Sequence, residues 1–236
     1  MLRTMRTAIA VAALTTLAGT AQAAPELQRV RGTIESSDAN SVTIKTTDGK
    51  SETVQFGGAK FAWVVKSSLD QIKEGTFIGT ATKGENPMTA LEVVLFPEAM
   101  RGTAEGHYAW DAIPDQTGGG SGPVVKSSMT NGTVKAGGGS AAGGAPKVKS
   151  SMTNATVASS SAGSGTAGER TLTVTYDKDG SKTIVVPPKA PIVAFEQADK
   201  SILTPGGKIF VVAAKDGGKL DGKLVAVGKD GLTPPM

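Results

Sequence analysis

The sequence predicts an all-β protein made of two tandem small five-stranded barrels, joined by a connector and a Gly/Ser-rich disordered linker. Three observations carry this expectation. Short runs alternate apolar with polar residues, as Val30, Gly32 and Ile34 do against Arg31, Thr33 and Glu35, which is the period of a strand with one dry face. Turn pairs such as Asp48-Gly49 separate the runs and supply the positive φ that a tight hairpin needs. The order of runs then repeats: TLTVTYDKDGSKTIVV (171–186) lies over SVTIKTTDGKSETVQF (41–56), and SILTPG (201–206) lies over SLDQIKEG (68–75).

Taken in order, residues 1–23 combine Arg3 and Arg6, an apolar run at 8–17 and Ala21-Gln22-Ala23, the parts of a secretory signal peptide. The mature chain is expected to begin at Ala24, in the periplasm. The apolar run is too short to span a bilayer, and no later window approaches the ~20 apolar residues of a membrane helix, so a soluble mature protein without a membrane span is expected.

Residues 28–98 read as the first barrel. A strand at 29–35 is followed by a hairpin over 42–56, a strand at 61–65, a capping box at Ser68-Leu-Asp-Gln71 stopped by Gly75, and strands near 76–82 and 88–96. Five short strands and one helical turn in so few residues suit a small OB-like barrel. A connector over 99–111 leads to a flexible linker, 112–147, with GGGSG at 118–122 and AGGGS at 136–140. Within it VKSSMTNGTV (125–134) recurs as VKSSMTNATV (148–157). The later copy is expected to open the second barrel, 148–231, and the earlier copy either could exchange into the same slot or is a silent duplication. A second loose insertion is read at 158–168, strands at 208–215 and 220–227, and an unstructured tail at 232–236.

Composition narrows the function. Removing residues 1–23 takes away two arginines and no acids, bringing the formal charge from +4 to +2, too balanced for a nucleic-acid face. The absence of cysteine removes thiolate catalysis, cysteine metal sites and disulfides. No GxSxG, Walker-type loop or HExxH occurs. The rarest side chains gather in FPEAMRGTAEGHYAWD (96–111), which holds the one histidine, His107, with Tyr108 and Trp110. Arg101, Glu105, His107, Tyr108 and Trp110 are therefore the candidate binding residues. A divalent transition metal on Glu105, His107 and Asp111 is the alternative, and the plainer reading has Tyr108 and Trp110 staple the connector while His107 is solvated. Phe56, Phe77, Phe195 and Phe210 alternate into the core, leaving Phe61, Trp63 and Tyr176 as aromatics for a surface.

The run VRGTIESSDANSVTIKTTDGKSETVQF followed by LDQIKEGTFIGTA resembles a widespread bacterial domain of unknown function, a small OB-like barrel of exported proteins. With LEVVLFPEAMRGTAEGHYAWD, KSSMTNATV and VAVGKDGLTPPM, the whole chain resembles an uncharacterised family of Gram-negative periplasmic proteins. Relatives often carry the name metal ABC transporter permease, although a permease needs several membrane-spanning helices. The resemblance implies no catalytic residues. The expected function is an exported non-catalytic binding or accessory module without cofactor, whose partner is a periplasmic protein or small ligand. The alternative is a metal-binding accessory to a transport system.

Overall fold

The computed structural model describes residues 26–118, 122–135, 168–176 and 180–235. The expected signal peptide, the later copy at 148–157 and most of the insertion at 158–168 lie outside them. The described residues are all-β: thirteen strands and four three-residue 3-10 turns, with no longer helix among them. In chain order the strands are β1 (Glu26–Ser37), β2 (Ser41–Thr46), β3 (Ser51–Gln55), β4 (Lys60–Lys66), β5 (Phe77–Lys83), β6 (Met88–Leu95), β7 (Gly106–Pro114), β8 (Val124–Val134), β9 (Arg170–Tyr176), β10 (Gly180–Val186), β11 (Ile192–Ala198), β12 (Lys208–Asp216) and β13 (Lys219–Gly228).

Hydrogen-bonded pairing runs through all thirteen strands and closes on itself twice. In the first ring β1 pairs β2, β2 pairs β3, β3 meets β13 in parallel at Val54↔Leu220, and β13 returns through β12 to β1. In the second, β8 pairs β9, β9 pairs β10, β10 meets β6 in parallel at Ile184↔Met88, and β6 returns through β5 to β8. Alternate residues fill each interior. Val30, Ile34, Ile44, Val54 and Val211 are buried in the first ring, and Ile78, Val93, Leu172, Val174 and Ile184 in the second.

The rings do not follow the halves of the chain, as a tandem arrangement over 28–98 and 148–231 requires. Each takes three strands from one half and two from the other. The crossing is made by β4 and β11, which leave their own rings and pair antiparallel with Val64 opposite Phe195. Each also lies along a strand of the ring it comes from, β11 along β6 and β4 along β13, before the chain passes to the other ring. The repeat holds in local structure. The hairpins over 41–56 and 171–186 have matching registers, Ser41↔Gln55 and Thr171↔Val185, and bulges fall at matching places, Ala81/Thr82 and Val212/Ala213. Because the halves offer the same backbone edges, local pattern cannot say whose edge is taken.

Four further expectations are corrected. Residues 112–147 are not linker throughout: β7 runs to Pro114, and the earlier copy forms β8, the first strand of the second ring. That strand has two faces to bury and an edge on β5 and β7, which outweighs the glycine-rich sequence beside it. Ser68 precedes a 3-10 turn, Leu69–Gln71, but makes no capping bond, whereas Asp199 accepts from the Ser201 amide at the matching turn. The tail packs, with Leu232 against the central core and Pro234 buried. Tyr176, expected on a surface, is fully buried, and Phe61 and Trp63 are partly buried against the first core.

Candidate functional site

Between the rings, the strands β7-β8-β5-β6-β11-β4-β13-β12-β1, six of which are also ring strands, form one sheet that curls round a central space. After β6 the chain turns through Glu98–Met100 and runs as β7 antiparallel to β8. The turn is tight: Gly102 and Gly106 take positive φ, and so does Ala104 at 47°, a conformation that is strained for a residue with a Cβ. Two hydrogen bonds hold it there. The Ala104 carbonyl accepts from Asn131 Nδ2 at 2.8 Å and from the Tyr108 hydroxyl at 3.3 Å.

Alternation along β7 sends Tyr108 and Trp110 into the central space. The register then shifts between Trp110 and Ile113, and Asp111 reaches β1, where it accepts from Arg29 Nη1 at 3.0 Å and Arg31 Nη1 at 2.7 Å. No backbone ladder joins β7 to β1 among the described residues, so these ion pairs bridge the two ends of the curled sheet.

The enclosed space is an apolar cavity of about 250 Å³. Phe96, Tyr108, Trp110, Phe195 and Phe210 line it, half of the chain's ten Phe, Trp and Tyr residues. Phe96 stands edge-on to Phe195 at 5.1 Å, and Trp110 lies 6.3 Å from Phe210 with the Arg29 guanidinium 3.9 Å over its ring. Gly79 makes room, since a Cβ there would lie 2.5 Å from Asn131 Oδ1 and 3.0 Å from the Phe96 ring. Leu27, one of two large apolar residues left exposed among the described residues, stands at the cavity's edge with Thr103 and Glu105. Arg29 Nε, Trp110 Nε1 and Asn131 Oδ1, all on lining residues, are buried without a hydrogen-bond partner among the described residues.

The candidate residues divide accordingly. Tyr108 and Trp110 form the wall and Glu105 the rim. Arg101 is elsewhere: its guanidinium donates to Glu98, to Thr133 Oγ1 at 2.9 Å and to the Gly75 carbonyl at 2.8 Å, which ties the connector to the second ring. His107 faces away from Tyr108 and Trp110. It is half-buried rather than solvated, its Nδ1 2.8 Å from Thr130 Oγ1 and its ring 5.9 Å from that of Tyr176. Burial, helped by the charge of Lys182, lowers its pKa. Asp111 is engaged by two arginines and Glu105 is exposed, so the proposed ligand set does not converge. Among the described residues no three His, Cys, Asp or Glu side chains come together as a metal site.

Sequence reasoning missed Arg29 and Glu92. Arg29 and Arg31 share one face of β1, and two cations two residues apart on a strand beside a buried wall were the available signal. Glu92 is 1% exposed on β6, an acid inside the run LEVVLF. Burial pushes its pKa up to about 8, partly offset by the charge of Arg31.

Compared with protein-family models, curated proteins and solved structures, the chain matches none of them. Among the described residues no helix is long and apolar enough to cross a membrane.

Proposed function

We propose that this protein is an exported, periplasmic binding module that takes a small apolar ligand into the cavity between its two rings, and that each ring is an OB-like barrel. The barrel reading is supported by the five-strand Greek-key order of both rings. The export reading rests on the leader-like residues 1–23 and the family resemblance of the sequence. One observation carries the function: in a chain with few aromatics, half of them surround one apolar cavity beside an exposed leucine. They belong to the apolar core between the rings, with Phe195 and Phe210 buried, and the cavity is the space this core leaves unfilled. The cavity is larger than the ~150 Å³ apolar void that holds benzene and slightly below the usual range for drug-sized ligands, which suits an occupant of modest size. No group of side chains in it has the arrangement of a nucleophile and its base, so binding is the favoured role.

The chain has two tryptophans, so the Trp63→Phe variant reports from Trp110 alone. Titration with 1-octanol is expected to shift its emission saturably. A filled cavity, in Val94→Phe or Leu224→Phe, is expected to abolish the response without loss of the folded state. An unsaturable response, or one unchanged by filling, overturns the reading.

A further inference from the structure

Resting on that reading, we infer that the ligand is a compact aromatic compound, its ring taken in among Phe96, Tyr108 and Trp110 and any polar group left at the rim beside Thr103 and Glu105. These three rings line the cavity and keep part of their surface accessible, whereas Phe195 and Phe210 are buried in contact with Phe96 and Trp110. The three are held in place. Phe96 meets both Phe77 and Phe195 edge-on, with centroids 5.3 and 5.1 Å away. Trp110 lies under the Arg29 guanidinium, and the Tyr108 hydroxyl donates to the Ala104 carbonyl while accepting from Asn131 Nδ2 at 3.1 Å. A wall fixed in this way gives up little freedom when a ligand enters.

Two properties of the wall select the class. The first is that its polar atoms are sealed or already engaged. Arg29 Nε, Trp110 Nε1 and Asn131 Oδ1 have no accessible surface, Arg29 Nη1 serves Asp111, and Asn131 Nδ2 serves Ala104 and Tyr108. An occupant is therefore apolar where it meets the wall, and a polar group on it belongs at the rim. The second property is the tilt of the rings. The pairs Phe96–Phe195, Tyr108–Trp110 and Trp110–Phe210 have planes at 83°, 56° and 46°. Tilted rings set the positive edge of one against the negative face of the next. A flat ligand ring extends that arrangement with more than one of them, whereas a saturated ring of the same size fills the space without the quadrupole. Size agrees with this: scaled from the ~150 Å³ void that holds benzene, the cavity of about 250 Å³ admits about ten non-hydrogen atoms.

Calorimetric titration of the full chain with 3-phenyl-1-propanol and 3-cyclohexyl-1-propanol tests this, since the two share a chain, a hydroxyl and a ring of six carbons. Each dissociation constant is scaled by the compound's own partition from water into hexane, which removes the difference in hydrophobicity. On that scale the phenyl compound is expected to bind about tenfold more tightly, as two aromatic pairs provide, and its ring protons to shift upfield on binding. Phe96→Leu and Tyr108→Leu each take one ring from the wall, and each is expected to reduce the preference by about threefold while leaving 3-cyclohexyl-1-propanol within about twofold. Tyr108→Phe keeps the ring and is expected to keep the preference. Equal or reversed scaled affinities in the parent protein, or a preference unchanged by both leucine substitutions, overturn the aromatic class and leave the cavity reading standing. Failure of both compounds and of 1-octanol to bind overturns both.

Discussion

Val30 of β1 lies directly opposite Val211 of β12, both inside the first ring. At the matching place in the second ring Thr130 lies opposite Thr80, both fully buried. Had each half closed on itself, Val30 would face Thr80 and Thr130 would face Val211. Exchange of the last two strands sorts methyl against methyl and hydroxyl against hydroxyl, and such cross-strand matches contribute roughly 0.2–1 kcal/mol each. The hydroxyls are also served: Thr80 Oγ1 donates to the Glu92 carbonyl at 2.7 Å, and Thr130 Oγ1 lies 2.8 Å from His107 Nδ1.

Because each ring draws on both halves, cleaving the chain within residues 136–167 should not release a folded half. The two fragments are expected to elute together under native conditions, and the intact chain to unfold in a single denaturant transition seen alike by Trp63, on the first ring's core, and Trp110, between the rings. Separable fragments or two distinct transitions would contradict the exchanged pairing.

Gly32 leaves no room for a side chain in the first ring. A Cβ there would stand 2.0 Å from the Lys45 carbonyl oxygen, a backbone atom fixed by the β1–β2 ladder. Gly32→Ala is expected to destabilise the protein by about 3 kcal/mol, at the upper end for overpacking, measured by urea unfolding. Gly132 holds the matching position in β8, whereas the later copy of that segment carries Ala155. Gly132→Ala should therefore be costly too, and this gives a physical reason for the earlier copy to occupy the slot.

Much of the architecture was legible. The alternation at Val30 and Ile34 located a buried face correctly, because a period of two is a local property. Two features were not. The choice between β5 and β12 as the partner of β1 depends on contacts between residues nearly a chain-length apart. The cavity is made by residues such as Phe195, Phe210 and Leu224, each of which also reads as ordinary core. Tyr108 and Trp110 were found because rarity drew attention to them, and Arg29 was missed because a charged residue on the outer face of a strand is ordinarily solvated.

Asp111 is the single acid that bridges β7 to β1. Asp111→Asn keeps its shape and removes its charge, leaving Arg29 and Arg31 facing each other. A loss of about 1–2 kcal/mol is expected, since the group is partly exposed and the full cost of breaking a buried pair does not apply. Hydrogen exchange should rise in β7 before it rises in either ring.

Glu92 sets a pH dependence. Its folded pKa lies well above the ordinary carboxylate value, so between about pH 4.5 and 8 the folded protein binds a proton that the unfolded chain has released. Stability from this residue therefore falls as pH rises through that window. Glu92→Gln is expected to flatten this part of the profile and to be more stable than the parent at pH 8, read from urea midpoints. A parent protein that grows more stable from pH 5 to 8 because of Glu92 would refute the assignment.

The exchanged strands also set a schedule for folding. β1, β2 and β3 are synthesised first, yet their ring cannot close until residues 208–228 have been made, and the second ring waits for residues 170–186. No half of the chain can lock early, so the polypeptide stays unclosed, and can be threaded, until its synthesis is almost complete. The proposed export is served by this, because a transport channel for unfolded polypeptide accepts only what has not yet folded.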